Sequence, residues 1–257
     1  MFGQYTDRDA ITHLGGPQEF ARRRTELQKQ LKTGWTLLFA RINEPEANSY
    51  REDNDFYYFT GLQDQGAILL MNNESGHTIV FEPEQTKRVK QVYGPNLLGL
   101  EEGSRIELGY KMVMPVQDYD LFMSRIFGQA TAPDLWVRLG FADKADGARS
   151  ETAFDYAEQY AAPLGDPTPG DRAALKKLTE RFPGVHLRDL TDAIDQLRNI
   201  KTPGEIEVLR KNGKISAEGM RRTIARAKPG FNSNARRYAD AASRGLPSDF
   251  HPSPSTM

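Results

Sequence analysis

His186, Asp189, Asp192 and Asp195 recur at intervals of three in HLRDLTDAID, the stretch that comes nearest to a metal-binding pattern. Carboxylates and an imidazole on one helical surface could hold a divalent ion. A structural reading competes with it and is favoured. Acidic residues suit the first turn of a helix, and here they would lie opposite the apolar stripe Leu190, Ile194 and Leu197. The remaining histidines, His13, His77 and His251, stand apart from one another and from this cluster.

A second concentration of functional groups is REDNDFYYFTGL, Arg51 to Leu62. It could be a ligand platform, but aromatic residues at this density more often build core. Core is expected for Phe56 and Phe59, with Tyr57 and Tyr58 partly exposed. Arg22, Arg23 and Arg24, and again Arg221, Arg222 and Arg226, read as solvated faces of helices rather than a nucleic-acid patch. The usual catalytic signatures are missing: there is no HExxH, GxSxG, GxxxxGK[ST] or GxGxxG. Cysteine is absent, which excludes disulfides, thiolate ligands and a cysteine nucleophile. With 34 basic and 35 acidic residues, no whole-protein field favours nucleic acid or an anionic membrane. No apolar run approaches the roughly 20 residues that cross a bilayer. The simplest location is the cytoplasm.

The elements that must position these residues follow from periodicity. Pro17 to Lys32 reads as a helix with Phe20, Leu27 and Leu31 on one stripe. Trp35–Ala40, Gly66–Met71 and His77–Glu82 are short apolar runs that suit buried strands, and NNESG between the last two is a hairpin turn. TKRVKQVYG, YDLFMSRIFGQA and SETAFDYAEQYAAPL look helical, and DLWVRLG looks like a strand. GDPTPG, Gly165 to Gly170, is a turn-rich joint before the helices DRAALKKLTERF and LRDLTDAIDQLRN. Strands alternating with helices but including a hairpin predict an α/β fold with a mixed sheet covered by helices. One long helix then follows. Thr202, Pro203 and Glu205 form a Thr-x-x-Glu capping box with proline at the first helical position. Ile206, Leu209, Gly213, Ser216, Met220 and Ile224 step along one face until Pro229-Gly230.

Two of these stretches carry a resemblance. NDFYYFTGL followed by GAILLM resembles the N-terminal signature of Xaa-Pro aminopeptidases, and LRNIKTPGEIEVLRKNGKISAEGMRRTIARAKPG resembles the junction at which their catalytic domain opens. The related prolidases and creatinases share the second form. The likeness runs from about Phe20 to Gly230. It implies a creatinase-type N-terminal domain over residues 1–199, resembling ribonuclease H in outline. The first helix of a pita-bread catalytic domain would then span 200–230, with an atypical, disordered tail over 231–257.

The resemblance also implies a chemistry: two metal ions, usually manganese, held by two Asp, one His and two Glu, activate water against the bond before a proline in the second position of a peptide. No catalytic or metal-ligating position is carried over to this chain, and no cofactor is expected in it. In the family those ligands lie beyond the Pro-Gly that ends the helix. Here the residues that follow, FNSNARRYADAASRGLPSDFHPSPSTM, contain no Glu and turn rich in Ser, Arg and Pro. The segment reads as a frame change or early end near Asn232, or as a genuine alternative terminus. Two functions therefore stand open. One is a catalytic family whose N-terminal domain, present here, supports oligomerisation and walls the substrate channel. The other is a non-catalytic binding or oligomerisation module offering the Ile206/Leu209/Met220/Ile224 face to a partner.

Overall fold

The computed structural model describes residues 14–41, 52–93, 95–100, 102–129, 132–140 and 170–226. Its chain divides into two compact units, Met1–Ile200 and Lys201–Met257. The first contains α1 (Pro17–Leu31), β1 (Trp35–Phe39), α2 (Asn54–Thr60), β2 (Ile68–Asn72), β3 (Thr78–Glu82), α3 (Lys87–Tyr93), α4 (Glu102–Glu107) and β4 (Met112–Pro115). It continues with α5 (Tyr119–Phe127), β5 (Asp134–Val137), α6 (Gly170–Arg181), β6 (His186–Asp189) and α7 (Thr191–Asn199).

Six strands form one mixed sheet in the order β4-β3-β2-β1-β5-β6. β1, β2 and β3 run antiparallel to their neighbours within the trio, whereas β4, β5 and β6 join by parallel pairing. The β2–β3 hairpin closes where NNESG placed it: Asn72 Oδ1 accepts the backbone N–H groups of Glu74 and Ser75, and Gly76 supplies a left-handed φ of 73°. At Gly34, which leads into β1, glycine is required. Its φ is 79°, and a Cβ there would lie 2.5 Å from the Asp134 carbonyl oxygen.

Both sheet faces are covered, which explains why the central strands are apolar without alternation. On one face Leu38, Leu69, Met71 and Val80 pack with Leu27, Phe56, Phe59 and Ile194, from α1, α2 and α7. On the other, Leu37, Leu70, Ile79 and Phe81 pack with Met123, Phe127, Leu175 and Leu178, from α5 and α6. The mixed sheet flanked by helices is therefore the architecture the sequence led us to expect.

Three expectations change. LRDLTDAIDQLRN is not one helix: His186–Asp189 is an edge strand parallel to β5, and the helix begins at Thr191. β4 is a strand that its sequence did not announce. Tyr58 is buried rather than partly exposed. The helix expected in SETAFDYAEQYAAPL and most of the GDPTPG joint lie outside the described residues, as does Pro229-Gly230.

In the second unit α8 (Pro203–Arg226) opens with the expected capping box. Thr202 N–H donates to Glu205 Oε2 at 2.8 Å, and Glu205 N–H donates to Thr202 Oγ1 at 3.3 Å. Leu209, Met220 and Ile224 are exposed along it, while Ile206 is half-buried.

Candidate functional site

The polar groups of this fold converge on α2, a helix of seven residues. At two turns it is too short to be stable alone, so its ends must be satisfied from outside. Asp53 caps the first turn, with Oδ1 accepting the N–H groups of Asp55 and Phe56, each at 3.0 Å. Glu52 Oε1 in turn accepts the N–H groups of Asp53 and Arg41.

All four terminal carbonyls find donors. Gly61, left-handed at φ 68°, donates its N–H to Tyr57 O. Arg23 Nη1 donates to Tyr58 O at 3.1 Å, Arg24 Nη1 to Phe59 O at 2.8 Å, and the Tyr110 hydroxyl to Thr60 O at 3.2 Å. The helix thus has carboxylates at its positive end and guanidinium groups at its negative end, the signs that its dipole favours.

Arg23 and Arg24 are therefore not a solvated face. Both are buried, Arg24 to 1% exposure, and only Arg22 projects, paired with Glu19. Arg24 Nη2 also donates to Leu108 O at 2.8 Å, and its guanidinium lies 4.6 Å from the Tyr110 ring centroid. Gly109, at φ 79°, lets the backbone wrap this group, since a Cβ there would come within 2.7 Å of Arg24 Nη2. Burial pushes the Arg24 guanidinium below its ordinary pKa and the Tyr110 phenol up to about 12. A second ionic knot ties α2 to the far end of the unit. Asp55 meets Arg138 and Arg198, each at 2.6 Å, and Asp53 meets Arg138 at 3.0 Å. Burial raises the Asp53 carboxyl above its usual range against the pull of Arg138.

This clamped helix falls inside the segment that carries a family match. Residues 20–136 match the family described as Aminopeptidase P, N-terminal domain. Over residues 20–136, a little under half of its length, the chain is similar to an aminopeptidase P N-terminal domain. Among curated proteins it is similar to the Xaa-Pro aminopeptidase of Escherichia coli (strain K12), 27% identical over 228 residues, covering 83% of this chain and 46% of that protein. The chain thus spans about half the length of the curated relatives it matches. Among solved structures it resembles E. coli aminopeptidase P with the inhibitor Pro-Leu, and the zinc-substituted form of that enzyme with product. TM-scores are 0.62 and 0.60, each at 21% identity over 90% of this chain and 49% of that one. A putative aminopeptidase P from Bacillus anthracis gives a TM-score of 0.67 at 20% identity, over 89% of this chain and 51% of that one.

The fold does not assemble the His186 cluster. His186 and Asp189 sit on β6, whereas Asp192 and Asp195 sit on α7. Asp189 Oδ1 is committed to the N–H groups of Leu139 and Thr191 and to the Thr191 hydroxyl, while His186 faces Asp134 at 3.8 Å. Among the described residues no group of three or more His, Asp or Glu is placed to hold a metal ion, so the residues here do not fit a dimetal centre. His77 is exposed in the hairpin turn, and His13 and His251 lie outside the described residues. Arg221 and Arg222 are exposed and pair with Glu218, as expected of a solvated face. The Arg226 side chain is outside the described set. Phe56 and Phe59 are fully buried, so the aromatic motif is core and anchor rather than a ligand platform.

A second polar knot, in the turn after α2, had no sequence signal beyond isolated acids. Glu82 at the end of β3 is fully buried, and Asp64 and Asn96 nearly so. Burial is the main reason the Asp64 carboxyl rises to about 6 and the Glu82 carboxyl well above its usual range. The charge of Asp64 adds to the rise at Glu82, because two like charges in one buried place disfavour each other.

Proposed function

We propose that this chain supplies the N-terminal domain of an Xaa-Pro aminopeptidase, and that cleavage before proline requires a catalytic half this sequence does not contain. The observation that carries the reading is the extent of the match. Likeness to the E. coli enzyme covers 83% of the chain, well beyond residues 20–136, yet reaches only 46% of that enzyme's length. The Pro-Leu inhibitor bound to the E. coli structure supports peptides with proline near the N-terminus as the substrate class, and the zinc-substituted form supports a metal-dependent reaction. Manganese is the ion we expect in the complete enzyme. The five-ligand set implied by the family needs two glutamates, and no glutamate follows Glu218 in this sequence. A cysteine-free composition suits a reducing, cytoplasmic setting.

Within that assembly the domain's contribution is positional. With all four terminal carbonyls of α2 satisfied and the N–H groups of Asp55, Phe56 and Tyr57 bonded to Asp53, the helix cannot shift without breaking buried hydrogen bonds, which suits a wall that limits access to the peptide N-terminus. A second reading, a non-catalytic binding or oligomerisation module, is favoured by the exposed Leu209, Met220 and Ile224 on α8.

The test is hydrolysis of an Xaa-Pro dipeptide or tripeptide with added Mn²⁺. The 257-residue chain alone should give no turnover. The same residues joined to the catalytic half of the E. coli enzyme should give metal-dependent, chelator-sensitive cleavage. Turnover by the chain alone would refute the reading. A fully folded but inactive fusion would shift the balance to the non-catalytic module.

A further inference from the structure

Asp53 and Asp55 are buried acids with guanidinium partners, whereas the acids after α2 have none. Among the described residues, no Lys or Arg forms an ion pair with Asp64 or Glu82. Three oxygens of this knot have no hydrogen-bond donor: Asp64 Oδ2, Glu82 Oε1 and Asn96 Oδ1. Buried acceptors are nearly always satisfied, so three orphans in one cluster need a cause. The Asn96 amide cannot be turned round to remove its own. Nδ2 donates to Pro83 O at 2.8 Å and lies 3.4 Å from Glu82 Oε2, and reversal would set carbonyl against carbonyl. A proton between the two carboxyls satisfies two of the orphans but leaves Asn96 Oδ1 bare. It also leaves one negative charge in a buried place.

We propose that Asp64, Glu82 and Asn96 form a buried site for one hard divalent cation, held by the three oxygens that no donor satisfies. The donors are all oxygen, which suits Ca²⁺ or Mg²⁺ rather than a thiophilic or imidazole-seeking metal. The charges balance, since the two carboxylates neutralise the ion's two charges. The surroundings leave the site free to accept it. Glu52 adds negative potential but is committed through Oε1 to two N–H groups. Gln85 holds the Asn96 backbone N–H. Arg24 is occupied by carbonyls and the Tyr110 ring, and Tyr110 donates to Thr60 O. The site belongs to the N-terminal domain and needs no peptidase activity.

The experiment uses the full 257-residue chain stripped with chelator, then titrated with CaCl2 or MgCl2 against KCl at equal ionic strength. At pH 7.5 the thermal midpoint should rise saturably. Apparent affinity should fall as the pH is lowered, because protons compete with the ion for the carboxylates. Glu82→Gln keeps a donor for Asp64 but removes a charge, and should weaken binding at least tenfold while the chain stays folded. Should that variant fail to fold, titration calorimetry of the unaltered chain must show saturable binding of about one ion per chain with one of the two salts. No saturable shift with either salt, no saturable binding heat, or an undiminished shift in Glu82→Gln would each overturn the proposal, leaving the two carboxyls without an ion.

Discussion

Replacing Arg24 by methionine tests the claim that a buried cation holds the end of α2. The side chain keeps most of its apolar volume but loses two hydrogen bonds of 2.8 Å, to Phe59 O and Leu108 O. Hydrogen bonds to a charged donor contribute about 1.5–3 kcal/mol each, and each carbonyl left bare in the interior adds a desolvation cost. Against that, methionine avoids the cost of burying a guanidinium that has no carboxylate partner. The balance predicts a loss of about 3 kcal/mol. For a urea slope of about 2–3 kcal/mol per molar, the unfolding midpoint should drop by about 1 M with the slope unchanged. Arg22→Met, one position away but exposed, should cost under about 0.5 kcal/mol. Arg24→Lys should recover only part of the loss, because one ammonium cannot reach both carbonyls with the fork's geometry. If Arg24→Met unfolds within 0.5 kcal/mol of the unaltered chain, or if Arg22→Met is equally damaging, the accounting of the helix end is wrong.

Asp55→Asn strips both Arg138 and Arg198 of a carboxylate and should cost about 3 kcal/mol in urea unfolding, more than Asp53→Asn, which leaves Arg138 with Asp55. Equal losses would place the weight of the knot elsewhere. The acid pair predicts a pH dependence of opposite sign to an ordinary ion pair. Asp64 is raised from 3.8 to about 6 in the folded chain, so the folded state binds more protons than the unfolded one between those values. The stability from this group is fully present below about pH 4 and is lost as the pH rises through 6, by about 3 kcal/mol. In chelator, the fall in unfolding free energy from pH 4 to pH 7 should shrink by about that amount in Asp64→Asn. An unchanged fall would mean that Asp64 is not the group that titrates.

How much of this was legible beforehand depended on whether the signal was local. α1, the three apolar strands, the hairpin turn and the capping box of α8 were readable because periodicity and turn chemistry operate over a few residues. β6 was misread because a four-residue, largely exposed edge strand shows no alternation, and the acidic turn after it resembled a helix start. β4 was missed because its half-buried residues end in proline, a residue that argues against a strand. The arginines of α1 misled for a different reason. Adjacent basic residues normally mark a wet face, and nothing near Arg23 or Arg24 in sequence reveals that their acceptors are carbonyls 35 residues away. The acids of the two knots were visible as letters, but their pairing was not, since partners such as Asp55 and Arg198 are 143 positions apart.

That last separation constrains synthesis as well as stability. A ribosome delivers Asp55 long before Arg138 and longer still before Arg198, and β1 must likewise wait about a hundred residues for its parallel neighbour β5. While the chain emerges, α1, α2 and the β1–β2–β3 meander can assemble, but Asp55 has no counter-charge and one edge of β1 lies open. The unit therefore locks late, when α7 arrives and closes the ionic knot, and until then the half-made sheet is the species that a holdase would recognise. Nascent chains arrested before and after residue 198 should differ sharply in protease resistance, with the start of the chain becoming protected by the synthesis of its far end.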